Sequence, residues 1–222
     1  FSMPLIPIVE TTRGCPFQCT FCADGKMAAN RVFRYHEKRV TETLEHIASR
    51  VNGCDELIIA DLNFGMYDQD ISTANTIARL QNEKGYPLAL KASAGKNKPD
   101  KIINITKILK GSGFLGSALQ STDPGVLKAI KRSNIPPEKI LNLAKFGKAQ
   151  GNPTYTEVIL GLPDDSKEKH FESLRVGVDM GLNSIRMYQL MLLAGTEMAS
   201  PETRKTYEMI VKWRILPGCA GI

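Results

Sequence analysis

Ile6-Pro7-Ile8-Val9-Glu10-Thr11-Thr12-Arg13-Gly14-Cys15-Pro16-Phe17-Gln18-Cys19-Thr20-Phe21-Cys22 reads as a short strand that empties into a loop carrying three cysteines. The β-branched run Ile6 to Val9 fits a pleated strand, and Gly14 and Pro16 punctuate the loop. Three sulfurs within eight residues can turn inward to one centre, which suits an iron–sulfur cluster held by thiolates. Three thiolates leave one iron of a four-iron cluster without a protein ligand, and an open position separates a reactive metal site from a closed structural one. Two other readings of the trio stay open here. A zinc knuckle wants a fourth Cys or His at short spacing, and the next histidine, His36, lies fourteen residues past Cys22. A disulfide is the other, for which an odd clustered trio is a poor framework.

The strand-then-loop unit recurs along the chain. Short apolar runs near 6–10, 55–60, 88–93, 114–120, 154–160 and 184–191 alternate with amphipathic runs near 38–51, 69–84, 99–110, 124–149 (broken at Pro136-Pro137), 164–180 and 201–212. This is the pattern of βα units on a parallel sheet. Six units predict an α/β fold, a partial (β/α)6 TIM-type barrel with right-handed crossovers, as one domain over 1–222. Chemistry in such a barrel gathers at the C-terminal strand ends. Polar residues stand there: the cysteine loop, Asp61-Leu62-Asn63, Lys91-Ala92-Ser93, Gln120-Ser121, Glu157 and Gln189. Glu157 interrupts the otherwise central-strand sequence Tyr155-Thr156-Glu157-Val158-Ile159-Leu160. A buried carboxylate there needs donors. Ribose hydroxyls would serve, as would a nearby lysine or solvent.

Composition narrows the classes further. The 222 residues carry 29 basic and 23 acidic side chains, a net +6. The lysines, such as Lys101, Lys107 and Lys110, are spread over helical patterns without aromatic interleaving, so no nucleic-acid signal emerges. No apolar stretch approaches the roughly 18 residues needed to span a bilayer. A thiolate cluster implies a reducing compartment, the cytoplasm. The chain opens on Phe1 almost at once before a strand, and reads as a core excised from a longer protein.

The spacing C-x3-C-x2-C with an aromatic before the third cysteine resembles the signature of the radical S-adenosylmethionine (SAM) enzymes. The resemblance implies that SAM chelates the open iron of a 4Fe-4S cluster at Cys15, Cys19 and Cys22. One electron, from a flavodoxin- or ferredoxin-type donor, then cleaves it to methionine and a 5'-deoxyadenosyl radical. Gln120-Ser121 with Val126-Leu127-Lys128-Ala129-Ile130-Lys131-Arg132, and Glu157-Val158-Ile159-Leu160-Gly161-Leu162-Pro163, are similar to the branch holding coproporphyrinogen oxidase, the methylthiotransferases and the cobalamin-dependent members. By that resemblance Gln120 and Glu157 contact the SAM ribose, Arg132 its carboxylate, Ile159 the adenine, and the Phe21 backbone its amino group. Asp61 and Asn63 occupy the place of a glycine-glycine-glutamate element that receives the methionine amine, and depart from it. Gln189 to Met198 resembles the sixth-strand ending of cobalamin-associated members, with Ala194 where proline is frequent.

The implied activity is SAM cleavage within a cobalamin-dependent methyltransferase, with cobalamin held by an N-terminal region outside these residues. Cobalamin-independent oxidation, rearrangement or methylthiolation is the alternative among enzymes, and a zinc- or cluster-stabilised binding module the alternative outside them. The substrate is not legible. Gly111-Ser112-Gly113-Phe114-Leu115-Gly116 matches G-x-G-x-x-G by letter but follows a helix and opens a strand, the reverse of a dinucleotide site. Asn104-Ile105-Thr106 is a sequon by letter only. His46 and His170 are expected at helix surfaces and Cys54 as a buried thiol; Cys219 reads as a surface thiol or a contact to an absent domain.

Overall fold

The computed structural model describes residues 5–26, 30–95, 97–110, 112–113, 115–149, 151 and 153–213. Gly111, Phe114 and the C-terminal run with Cys219 lie outside them. Strands β1 (Ile8–Val9), β4 (Glu56–Phe64) and β5 (Ala89–Ala94) form one parallel sheet, and β6 (Leu115–Gln120), β7 (Thr154–Leu160) and β8 (Ser184–Gln189) another. A parallel bridge between Leu90 and Gly113, with the Leu90 amide donating to the Ser112 carbonyl at 2.7 Å, joins them. Six parallel strands thus stand in chain order, an open arc of a TIM-type barrel. Between β1 and β4 come β2 (Thr12–Arg13), β3 (Phe33–Arg34) and α1 (Glu37–Arg50). The remaining helices are α2 (Asp68–Lys84), α3 (Pro99–Ile108), α4 (Pro124–Ala129), α5 (Pro137–Ala149), α6 (Lys167–Asp179) and α7 (Pro201–Thr206). Among the described residues no helix is long and apolar enough to cross a membrane.

Periodicity explains the layering. On β4, Leu57 and Ile59 share one face and meet Val40 and Leu44 of α1, Ala74, Ile77 and Leu80 of α2, and Ile105 of α3 in one core. Each valine, leucine or isoleucine so buried contributes about 1.5–3 kcal/mol. Leu119, Ile140, Val158 and Met180 form the corresponding core of the second half. Val126, Ile130, Leu162 and Met198 form a third, with Phe21 packed on it directly beneath the cysteine loop.

Several features differ from the sequence expectation. Strand β1 is shorter and β4 longer, running through Asp61 to Phe64. Strands β2 and β3 make a two-residue antiparallel ribbon that pairs Thr12 with Arg34, too short for any periodicity to announce. The 124–149 helix is split more widely than its prolines require. Lys131 turns left-handed (φ 53°), and the Arg132 amide bonds back to the Leu127 carbonyl at 2.9 Å, closing α4 early and aiming Arg132 at β6. Helix α7 ends at Thr206 through the same device at Glu208 (φ 48°), with no glycine to signal it. His170 is buried against β8 rather than at the surface, 3.7 Å from the Asp165 carboxylate and 3.4 Å from the Met187 sulfur, because that face of α6 packs on the sheet. Cys54 is half-buried, not buried.

The turn from β4 into α2 is held by Asp70, which accepts from the Gly65 amide (2.8 Å) and the Tyr67 amide (2.9 Å). Burial outweighs these donors and pushes its carboxyl up to about 6. The folded state therefore holds this proton more tightly than the unfolded chain, whose aspartates titrate near 3.9. Stability from this group is present at low pH and is lost as pH rises from about 4 through about 6. Asp70→Asn, which keeps the acceptor, should shrink the stability difference between about pH 4 and about pH 7 by ~2 kcal/mol in urea melts. An unchanged difference would remove Asp70 from the account.

Candidate active site

The cysteine loop is anchored before it is shaped. Asp61 on β4, 1% exposed, accepts from the Thr11 amide at 2.7 Å and from the hydroxyls of Thr11 and Thr12. Gly14 (φ 96°) then turns the chain in a way other residues rarely adopt. The Cys22 amide donates to the Cys19 carbonyl and the Gly25 amide to the Cys22 carbonyl, both at 3.1 Å, which coils the loop into a short 3-10 turn, Ala23–Gly25. A Cβ on Gly25 would lie well inside contact distance of the Cys19 carbonyl oxygen, so no side chain fits there. Thr20 is held from both sides, its amide donating to the Ile130 carbonyl (3.2 Å) and its carbonyl accepting from the Met198 amide (2.9 Å).

Cys15 and Cys19 are buried and Cys22 half-buried; among the described residues these three and Cys54 form no disulfide. Two donors aim at the sulfurs. The Asn63 amide nitrogen lies 3.3 Å from Cys15 Sγ and Arg132 Nη1 3.9 Å from Cys19 Sγ. Donors placed on sulfur suit thiolates. No three Cys, His, Asp or Glu side chains among the described residues converge as a single ion would demand.

A cavity of about 240 Å³ opens beside the loop, walled by Cys19, Phe21, Cys22, Gln120, Arg132, Tyr155 and Glu157, with Leu62 and Ser93 across from them. Gln120 ends β6 at a register shift with φ 63°, an uncommon conformation for a side-chain-bearing residue, and its buried Oε1 has no hydrogen-bond partner. Arg132 is braced by Asn134 (3.1 Å) and by the Ala118 carbonyl. Glu157 shares the inner face of β7 with Tyr155. Its cation is Arg186 of β8, at 3.8 Å, whose guanidinium lies 4.1 Å over the Tyr155 ring. Burial pushes the Tyr155 phenol up, and the neighbouring Glu157 charge adds to the shift.

Of the residues marked in the sequence, Cys19, Cys22, Phe21, Gln120, Arg132 and Glu157 meet on this one cavity. Cys15 and Asn63 are not among its walls; both are buried and meet each other at 3.3 Å. Asp61 is turned to the threonines, and Ile159 packs with the Val126 cluster beneath. Sequence reading passed over Arg186, Tyr155 and Gly25. Alternation on the sixth strand would have put Arg186 on an inner face, but its register against Glu157 is a tertiary fact.

The profile of the radical SAM superfamily matches residues 9–175. The chain belongs to the radical SAM superfamily. That family works with a 4Fe-4S cluster and SAM. The cobalamin-dependent radical SAM methyltransferase TokK of Streptomyces tokunonensis is 31% identical over 202 residues, covering 89% of this chain and 29% of its own length. The 2-(S-pantetheinyl)-carbapenam-3-carboxylate methyltransferase of Streptantibioticus cattleyicolor is 32% identical over 197 residues, 87% of this chain and 29% of its own. The chain therefore spans less than a third of these curated relatives. Among solved structures, the methyltransferase TsrM of Kitasatospora setae, with cobalamin and a [4Fe-4S] cluster bound, superposes with TM-score 0.70 at 16% identity, over 88% of this chain and 36% of that one. Coproporphyrinogen III oxidase of Escherichia coli gives 0.64 at 14% identity, over 94% and 51%. Both support the barrel fold.

Anaerobic reconstitution should load about four irons and four sulfides per chain, and alanine at Cys15, Cys19 or Cys22 should abolish this. Gly25→Ala should lose most of the iron as well, because its methyl group displaces the Cys19 carbonyl. Full iron with wild-type visible absorption in Gly25→Ala would show that the loop can move aside.

Proposed function

We propose that these 222 residues form the SAM-cleaving core of a cobalamin-dependent methyltransferase. The observation that carries the core reading is the convergence of two cluster cysteines, a strained glutamine with an orphaned oxygen, an arginine and a glutamate on one cavity. The curated relatives at just over 30% identity carry the methyltransferase reading. Cys15, Cys19 and Cys22 would hold the cluster, which when bound supplies the electron that splits the SAM sulfonium.

The chain's own residues bind and orient. Gln120 Oε1 and the Glu157 carboxylate accept from the ribose hydroxyls. Ile159, which packs on the Val126 cluster, is assigned to the adenine by resemblance alone. Arg132 meets the SAM carboxylate as a charge-assisted pair, and its bond to the Ala118 carbonyl helps to hold the guanidinium in place. The Phe21 backbone is assigned to the amino group, and the orphaned, buried Asn63 Oδ1 is a further acceptor beside Cys15. Asp61 positions the loop through Thr11 and Thr12. Arg186 counters the charge that Glu157 brings to the cavity. The reductant is a low-potential flavodoxin- or ferredoxin-type protein, and cobalamin is held by a region outside these residues.

Arg132→Ala and Glu157→Ala should each weaken SAM binding while keeping the iron. Losing a charge-assisted hydrogen bond costs on the order of 1.5–3 kcal/mol, or roughly ten- to a hundredfold in affinity, readable by equilibrium dialysis. Wild-type affinity in both variants would overturn the assignment. Cobalamin titrated onto the 222 residues should bind weakly or not at all, while the protein should still form 5'-deoxyadenosine from SAM. Full turnover of a substrate without cobalamin would favour a cobalamin-independent radical enzyme instead.

A further inference from the structure

Asn63 is used twice. Its oxygen is orphaned, but its nitrogen points at a cysteine sulfur from 3.3 Å, with Asn63 3% and Cys15 2% exposed. We propose that the Asn63 side-chain amide sets the reduction potential of the cluster by donating a hydrogen bond to the Cys15 thiolate. The inference rests on the reading of Cys15, Cys19 and Cys22 as cluster ligands. Reduction adds negative charge to the cluster and its thiolates, so a donor on a ligand sulfur favours the reduced state and raises the potential. In a buried place such a bond is stronger than in water.

Three features single out this contact. The orientation of the amide is chemically fixed, since a flip would set the carbonyl oxygen against an electron-rich sulfur. The side chain is carried by a strand, not a loop. Asp61, two residues earlier on the same strand, clamps Thr11 and Thr12, so β4 both anchors the start of the loop and supplies the donor to its first cysteine. The three sulfurs are also served unequally. Cys19 faces Arg132 at the longer distance of 3.9 Å, and Cys22 is half-open to solvent. Removing the Asn63 donor therefore removes a 3.3 Å side-chain bond onto cluster sulfur, shorter than the 3.9 Å approach of Arg132.

The test is an EPR-monitored redox titration of the reconstituted protein without SAM, beside iron and sulfide analysis. Asn63→Leu removes the donor. Asn63→Asp keeps the shape and replaces the donor with an acceptor. Both should retain the iron and shift the midpoint to more negative potential, the aspartate further than the leucine. A midpoint equal to wild type in either iron-loaded variant would overturn the proposal while leaving the cluster reading intact. Wild-type protein that binds no iron on reconstitution would overturn the cluster reading itself. A measurement on the unsubstituted protein guards against variants that lose the cluster. With asparagine labelled by nitrogen-15 at the side-chain amide, the reduced cluster should show a weak nitrogen-15 coupling by pulsed EPR, and its absence would equally reject the donor.

Discussion

The buried carboxylate of Asp61 is the constraint on which the site depends. A carboxylate taken out of water is costly unless donors replace the solvent, and here the Thr11 amide and two hydroxyls do so. The consequence is geometric. The chain leaves β1 and is tied within two residues to the C-terminal half of the neighbouring strand, so the cysteine loop begins at a fixed height above the barrel. Everything after it is placed from that point: the left-handed Gly14, the 3-10 turn closed against Gly25, and Thr20 held between Ile130 and Met198. Both hydroxyls donate to Oδ2, so removing one leaves the other in place, and the loss is that of one hydrogen bond, about 0.5–1.5 kcal/mol, falling on the loop rather than the core.

At other atoms around the site the logic is reversed, because they are left without partners. Gln120 is held in a left-handed conformation with its oxygen buried and unsatisfied, and Asn63 Oδ1 is in the same state. Strain and orphaned acceptors persist where the surroundings over-determine them, and they cluster where a ligand completes the set. Two apolar layers over-determine these: the helices packed on Leu57 and Ile59, and the Val126 cluster beneath Phe21. A ligand that arrives with hydroxyl and amino groups would bring the missing donors.

Much of this was legible in the sequence where a period or a spacing carried it. The six strands, their helices and the three cysteines followed from alternation and from C-x3-C-x2-C. Gln120, Arg132 and Glu157 followed from resemblance and do share a cavity. What stayed hidden depends on register and approach. The β2–β3 ribbon has two residues per strand and no pattern to read. Gly25 looks like any loop glycine until the Cys19 carbonyl is placed against the position its Cβ would take. His170 on α6 reads as surface because the helix pattern alone does not say which turn meets β8. Arg186 needed the parallel pairing of Glu157 with it across β7 and β8.

Acid–base pairing across adjacent strands recurs at a second, partly exposed place in the sheets. Glu56 and Lys91 stand 2.8 Å apart on adjacent strands β4 and β5, and Glu157 and Arg186 3.8 Å apart on β7 and β8. In these two pairs the acid is matched by a base on the next strand, whereas Asp61, also on β4, is matched by the threonine donors. The two pairs differ in tightness. The first is short enough to be a closed ion pair, whereas the second is long, its guanidinium stacked on Tyr155 instead. A carboxylate held loosely by its cation keeps acceptor capacity for hydroxyl groups, while the stacked arginine stays in place when the carboxylate turns away. The charge is therefore settled at the β4–β5 pair and adjustable at Glu157, the side on which Gln120 and Arg132 also stand.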